Sequence, residues 1–572
     1  MFARSLRART LGAAYAAAAT PRLAATSPES EATRPFDHRR PNTAPTLAPA
    51  PTPNIRERSG PPAIGPEPEP REDAMTTTHS TVLDRAGTTV RIRTPGEVFT
   101  TPAPTAPAST LIPHAPDSGP PRQLSHLDLH LLDSETATAP LHIGAVMLLD
   151  SAGAAGGPLA VTTLRRLFAA RLHLIAPLRR RVRAVPLGLD EPYWEDCDTV
   201  DLGYHVRAAR LPDGASDADL ADYVARRHAQ LLDRSRPLWE CHLVSGLSGG
   251  RQAVYTKIHH AVIDGVSAAE VMAAILDVSE TPTDTPPPAT GVRRDRTPSL
   301  VEMVARSSGN AMARQSARAR AVRHAVPALL HHRDEFRAKH PDVPFNGPLS
   351  ASRSVAYTSL PLDAVKAVKR SIDGTVNDVV MALCTSALRS WMLDRELPAT
   401  RPLLAAIPVS VRTPEQFGSA GNQFSLMLSR LPIDESDPRA RLTMLHHNLV
   451  LAKERFRQQP PTLLHELTAL LTPALHGLPT RALLRAAAPT LPLVNLIVSN
   501  VPGPQFPLYL DGIRVLASYP VSVLTELSGG LNITVMSYDG HLDFGILGCP
   551  DAVPDIGELT THLGAALAEL HP

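Results

Sequence analysis

"YTKIHHAVIDGVSAAE", residues 255–270, decides how the rest of the chain is read. Extended upstream to Ala253, it alternates as a strand: Val254, Thr256, Ile258 and His260 share one face, and Tyr255, Lys257 and His259 the other. The two histidines therefore point to opposite sides, and only one can face a given cavity. Ser267 and Glu270 have capping-box spacing, and Val266 with Val271 matches the accompanying hydrophobic staple, so a helix is expected to open at Ser267. Gly265 suits a turn or a close backbone approach, and Asp264 sits where an arginine or backbone donors can lock its carboxylate. The order is strand, tight connection, helix. A histidine at such a strand end, backed by a fixed turn, is well placed as a general base because its ordinary pKa lies near neutrality. Taken singly, a core-strand histidine is most simply structural and Asp-Gly most simply a turn. The combined H-H-x-x-x-D-G pattern fixes four positions, which ordinary residue frequencies rarely produce.

The 572 residues exceed what one hydrophobic core usually supports, so two lobes and a tail are expected. A hydrophobic share of 43% with 20% charged residues is that of a soluble globular protein. The formal net charge of +1 provides no global field to recruit nucleic acid, and no nucleic-acid partner is expected. Cys197, Cys241, Cys384 and Cys549 lie far apart, in no zinc-ligand or C-x-x-C spacing, and read as reduced thiols of a cytoplasmic protein. No metal-ligand constellation, dinucleotide fingerprint or P-loop is present in the sequence, so no metal and no cofactor are expected.

Composition divides the chain further. Residues 1–120 are rich in Ala, Pro, Thr, Ser and Arg without sustained periodicity, and are expected to be a disordered extension. The basic first thirty residues superficially resemble an export or transit signal, and Met75 offers an alternative start. Residues 121–285 mix strand and helix: LHIGAVMLLD reads as a buried strand, and residues 162–182 as an amphipathic helix with Leu164, Leu167, Phe168, Leu172 and Ile175 on one face. Pro237, Leu238 and Trp239 read as a turn and a buried anchor. Residues 286–344 hold a Pro/Thr-rich linker and a basic helix. Residues 345–572 form a second mixed lobe, with helix VNDVVMALCTSALRSWML, strand PLLAAIPVSVR and the late strands NLIVSN, LNITVMSY and LDFGILG. The longest apolar stretch, residues 463–498, is interrupted by prolines, His465, Glu466, Arg481 and Arg485, which argues against a spanning helix. That stretch and the basic helix could each lie on a bilayer surface or cover the protein's own core.

The pattern of His259, His260, Asp264 and Gly265 resembles the signature of acyl-CoA-dependent acyltransferases with the two-lobed chloramphenicol acetyltransferase-like fold. By itself it leaves peptide-synthetase condensation domains and polyketide-associated acyltransferases open. RPLWECHLVSGL, TVNDVVMALCTSALRSWM, PVSVRTPEQFGSAGNQFSLMLSRLP, SNVPGP and GLNITVMSYDGHLDFGILG then resemble, in order, the bacterial wax ester synthase/diacylglycerol acyltransferase family. The resemblance spans roughly residues 122–570 and implies an α/β fold of mixed sheets in two lobes.

It also implies roles. His260 would act as general base on an acceptor hydroxyl attacking a fatty acyl-CoA, with Asp264 holding the loop through an arginine. Arg412, ending a strand of the opposite lobe, is the expected partner. His259 belongs to the catalytic motif, although strand alternation favours a packed core histidine. Asn377 and Asp378 are expected to support the site, with Asn377 as a helix cap. Asn500, Pro502 and Gly503 are expected to form a rigid loop lining the substrate region. "DFG" at 543–545 is assigned no chemistry. The implied acceptor is diacylglycerol or a fatty alcohol, at the surface of a membrane or lipid body. The alternatives are a superfamily enzyme with another acceptor or a carrier-protein donor, and a lipid-body protein without turnover.

Overall fold

Alternating and continuous apolar runs build two mixed sheets. The principal strands, in chain order, are β1 (His142–Leu149), β2 (Val206–Ala215), β3 (Trp239–Leu247), β4 (Gln252–His259), β5 (Ser354–Pro361), β6 (Leu403–Ser410), β7 (Phe424–Leu431), β8 (Leu496–Val501), β9 (Tyr509–Leu510), β10 (Ile513–Val521), β11 (Leu531–Tyr538) and β12 (His541–Gly548). The principal helices are α1 (His126–Ser134), α2 (Val161–Arg171), α3 (Asp217–His228), α4 (Gly265–Ile275), α5 (Leu300–His331), α6 (Leu362–Arg370), α7 (Val376–Leu393), α8 (Pro438–Arg457) and α9 (Glu558–Leu570). They come from a computed structural model that describes residues 110–111, 121–283, 285, 295–331, 341, 343–412, 422–458 and 494–571. The expected disordered extension, and with it the alternative start at Met75, lies almost wholly outside the described residues, as does most of the apolar stretch 463–498.

The first sheet runs β9-β10-β1-β4-β3-β2 and the second β7-β6-β8-β11-β12-β5. In the first, β4 is antiparallel to both β1 and β3. Its side chains divide as a period of two requires: Val254 and Ile258 pack into the cluster on one face, Ala253 and Tyr255 into the other. A strand covered on both faces shields its backbone hydrogen bonds from water, so the site it carries has a stiff base.

The lobes are not consecutive in sequence. β9 and β10 lie within 345–572 but belong to the first sheet, where β10 pairs with β1. This corrects the division at 345: a late excursion of the chain completes the early lobe. The excursion also joins the sheets, because Asp543 on β12 accepts hydrogen bonds from Ser518 N on β10 at 2.7 Å and from the Ser359 hydroxyl at 2.6 Å. Gly545 makes room for the crossing, since a Cβ there would stand 1.7 Å from Pro520 O. The "DFG" run is thus a junction between the lobes.

A second correction concerns residues 162–182. The helix ends at Arg171, a 3₁₀ turn follows over Leu172–Leu174, and Arg180–Arg183 is a strand paired with Tyr193–Asp196. Pro177 cannot supply the amide a continuing helix needs, and Arg180 instead reaches Asp196 at 3.2 Å and Asp295 at 3.0 Å. The five apolar residues expected on one face are all buried. Trp239 is the anchor its sequence context implied: it stacks on Phe168 and on His205, and its indole N–H donates to Leu178 O at 2.9 Å.

Several histidines are buried neutral. Burial lowers His142 and His205 to about 4, and holds His228, bonded to Tyr255 Oη and Ser522 O at 2.8 Å each, well below its ordinary value. These groups bind protons more readily in the unfolded chain, so stability is full above about pH 6.5 and declines as pH falls toward 4. Urea midpoints measured from pH 7.5 to 4.5 should fall steadily; a flat profile would mean the imidazoles are solvated. Among the described residues no helix is long and apolar enough to cross a membrane.

Candidate active site

β4 ends at His259, and His260 begins the turn that leads to α4. The backbone N–H of His260 still donates to Leu141 O at 2.8 Å, which anchors the turn to the start of β1. The helix opens at Gly265, not at the expected Ser267: Asp264 O accepts the Ala268 amide at 2.8 Å and so supplies the first helical hydrogen bond. The side chains of Val266, Ser267 and Glu270, which the capping-box reading invoked, lie outside the described residues.

Asp264 is held by the second lobe. Arg412 donates to its Oδ2 through Nη2 at 2.8 Å and Nε at 3.3 Å, and the Gln423 backbone amide adds a third donor at 3.0 Å. Both side chains are buried, at 0% and 5% exposure. A buried ion pair with several donors on one carboxylate fixes geometry more than it adds stability. Here it ties the turn after β4 to Arg412, just past β6, and to Gln423, just before β7.

Asn422 determines the state of His260. Its Nδ2 donates to Asp128 Oδ1 at 2.7 Å and to the His260 carbonyl at 2.7 Å, which leaves Oδ1 facing His260 Nδ1 at 3.1 Å. An amide oxygen can only accept, so Nδ1 carries the ring proton and Nε2 keeps its lone pair. Burial lowers the His260 pKa, opposed by its own carbonyl and by Asp264, so the ring is neutral near pH 7. Phe424 packs with its ring centroid 5.6 Å away. The product is a neutral imidazole with a defined basic nitrogen.

His259 is fully buried on the opposite side of the strand. Its Nδ1 accepts the Ala261 amide at 3.0 Å, which leaves the proton on Nε2, 3.3 Å from Glu135 Oε1. The same oxygen lies 3.0 Å from His142 Nε2. The geometry makes His259 an anchor between β4, β1 and the residue that caps α1; as expected from alternation, the two rings face apart.

The remaining expected residues lie in the second lobe. The cap of α7 is Thr375, not Asn377: Thr375 Oγ1 accepts from Asp378 N at 3.2 Å and Asp378 Oδ2 accepts from Thr375 N at 2.8 Å. A hydroxyl one residue ahead of the first turn reaches N3, which the Asn377 side chain, already inside the helix, cannot do. Asp378 also meets His446 at 2.9 Å and Lys453 at 3.5 Å. Burial would raise its pKa, but the Thr375 amide, Lys453 and His446 together hold it below the ordinary value. Thr375→Ala should cost about 1 kcal/mol, read as a shift in urea midpoint; no shift would deny the cap. Asn377 Oδ1 instead accepts from Asn500 Nδ2 at 3.4 Å. Gly503 donates to Ser537 Oγ at 3.0 Å, and a Cβ on it would stand 2.2 Å from Ser537 O, so the loop with Pro502 is seated tightly on β11.

The chain has counterparts. Residues 124–380 match the wax ester synthase/diacylglycerol acyltransferase catalytic domain, and residues 420–571 the WS/DGAT C-terminal domain. A Mycobacterium tuberculosis protein assigned as a diacylglycerol O-acyltransferase is 35% identical over 465 residues, covering 78% of this chain and 99% of that one. The chain belongs to the wax ester synthase/diacylglycerol acyltransferase family. The O-acyltransferase WSD of Acinetobacter baylyi is 27% identical over 452 residues, covering 77% of this chain and 95% of its own. The solved wax ester synthase/diacylglycerol acyltransferase from Marinobacter aquaeolei superposes with a TM-score of 0.59 at 29% identity, over 78% of this chain and 98% of that one.

Within this WS/DGAT chain, sequence reasoning missed Asn422, Gln423, Asp128 and Glu135. Asn422 stands in the quoted stretch that also holds Arg412, but nothing local marks it as the partner of a histidine 162 residues away. Asp128 carried a faint signal: it is an acidic residue between Leu127 and Leu129, all three buried, in a helix whose N-cap is Ser125.

Proposed function

We propose that the chain is an acyl-CoA-dependent O-acyltransferase that esterifies diacylglycerol to triacylglycerol, with long-chain alcohols as second acceptors giving wax esters. The observation that carries the reading is the contact of His260 Nδ1 with Asn422 Oδ1 at 3.1 Å, which places the ring proton on Nδ1 and leaves the lone pair on Nε2, while burial lowers the pKa of the ring.

His260 Nε2 takes the hydroxyl proton of the acceptor as its oxygen bonds to the thioester carbonyl carbon. Collapse of the tetrahedral adduct breaks the C–S bond, and the imidazolium returns the proton to the departing coenzyme A sulfur. The ester forms, the thiol leaves, and His260 ends as it began. Asp264 and Arg412 hold the turn; His259 holds the strand end. Acyl-CoA is a substrate in this scheme, and no cofactor or metal is required.

A lipid-surface location belongs to the same reading. Val301, Val304 and Met312 on α5, exposed at 81%, 43% and 79%, recur at helical spacing beside Leu300 at 51%. The helix continues into the arginine-rich run ARQSARARAVR, a pairing of apolar face and cations that favours interfacial binding.

The test is thiol release from palmitoyl-CoA with dioleoylglycerol, hexadecanol or no acceptor, with lipid products identified by mass and flotation with dioleoylglycerol-bearing vesicles run in parallel. Acceptor-dependent release giving triacylglycerol is the expected result. Folded protein that turns over neither acceptor would sink the proposal.

A further inference from the structure

Helix α1 approaches the histidine pair from both of its ends. Glu135, its C-cap, faces His259 at 3.3 Å, and Asp128 in its first turn reaches His260 through Asn422. Asp128 is 2% exposed, and its Oδ1 accepts two donors from the same residue: Asn422 Nδ2 at 2.7 Å and Asn422 N at 3.2 Å. Burial raises the Asp128 pKa, opposed by its Asn422 and Ser125 hydrogen bonds, but Oδ1 also receives the Asn422 backbone N–H and is therefore an acceptor here, so this contact discriminates between the two orientations of the Asn422 amide. With the amide turned over, Oδ1 would face both the Asp128 carboxylate and the His260 carbonyl, and Nδ2 would point at His260 Nδ1. The ring would then have to carry its proton on Nε2, where no base remains.

We propose that Asp128 is a positioning residue for acyl transfer: by holding the Asn422 amide in one orientation, it sets the proton of His260 on Nδ1 and leaves Nε2 as the base. The arrangement has the connectivity of a carboxylate-backed histidine with an amide interposed. The interposed amide keeps the negative charge off the ring, so the imidazolium gains little stabilisation and the ring stays neutral between proton transfers. The inference rests on the general-base reading of His260.

The experiment is ¹⁵N-histidine NMR of the full chain, with the His260 signals assigned by difference against His260→Gln. It reads the tautomer without substrate. In the wild type, Nε2 should show the shift of an unprotonated ring nitrogen. Asp128→Leu, which removes both acceptor contacts, should move His260 toward the Nε2–H form and lower kcat about 10- to 100-fold with KM for palmitoyl-CoA unchanged. Asp128→Asn retains an acceptor oxygen and should recover most of the loss. Folded Asp128→Leu with the wild-type nitrogen pattern would overturn the proposal.

If Asp128→Leu does not fold, the paired variant D128N/N422D decides. It moves the carboxylate next to the ring, with an amide behind it to donate, and should raise the pH at which His260 titrates; an unmoved titration overturns the proposal. A wild-type ring in the expected tautomer, in protein that transfers no acyl group, would count against the proposed function and with it the role in acyl transfer, while the nitrogen pattern of Asp128→Leu would still show whether Asp128 sets the tautomer.

Discussion

His260→Ala is expected to lower kcat for acyl transfer by roughly 10²- to 10⁴-fold, the usual contribution of a placed general base. The remaining activity should be independent of pH across the range where His260 titrates. In the wild type the acid limb should lie below the ordinary histidine value, because burial depresses the pKa of this ring and the unprotonated form persists to lower pH. Binding of acyl-CoA should change little, since the ring acts on the acceptor's proton. Thiol-release kinetics from pH 5 to 8 in both proteins would check this. A variant within threefold of wild type, with the acid limb intact, would show that another group takes the proton.

Arg412→Ala is expected to destabilise the fold by about 3–5 kcal/mol, the range for removing one member of a buried ion pair. The magnitude follows from what is left behind. Asp264 would keep the Gln423 amide but lose both guanidinium contacts on Oδ2, at a position only 5% exposed. The paired replacement Asp264→Leu with Arg412→Met should cost less than Arg412→Ala alone, because it leaves no orphaned charge. Both should be nearly inactive, since the turn carrying His260 loses its tie to the second lobe. Urea unfolding of the three proteins separates the possibilities. If Arg412→Ala unfolds within 1 kcal/mol of wild type, solvent reaches Asp264 and the pair is not the clamp its geometry describes.

Local signals located most elements. The run from Val376 to Leu393 was legible as a helix because its apolar residues leave no polar face; most of them are buried, as a helix inside a core requires. Its cap was misread by two residues, since Thr375 and Asn377 are both capable caps and only backbone geometry chooses between them. The start of α4 was misplaced for a related reason. Ser267 and Glu270 satisfy a capping pattern, but Asp264, fixed by Arg412, had already positioned the carbonyl that opens the helix. The pairing of Asp264 with Arg412 was accessible because the family resemblance implies an arginine partner and Arg412 follows a strand of the opposite lobe. The Asn422 and Asp128 contacts gave no such cue: a neutral amide and a first-turn aspartate are each satisfied by ordinary local roles.

By itself the sequence determined the strand–turn–helix that carries the histidines, the opposite facing of His259 and His260, and the family to which the whole arrangement belongs. These follow from spacing along a few residues, where the period of a strand and the order of turn residues leave little freedom. Only the tertiary structure decided which late strand completes the early sheet, which residue holds His260 in its basic tautomer, and what sets that residue's own orientation. β10 meets β1, and Asn422 meets Asp128 across 294 residues, through hydrogen bonds with no local periodicity to announce them. A tautomer depends on donors and acceptors converging in three dimensions, so it becomes defined only when both lobes have closed on the same turn.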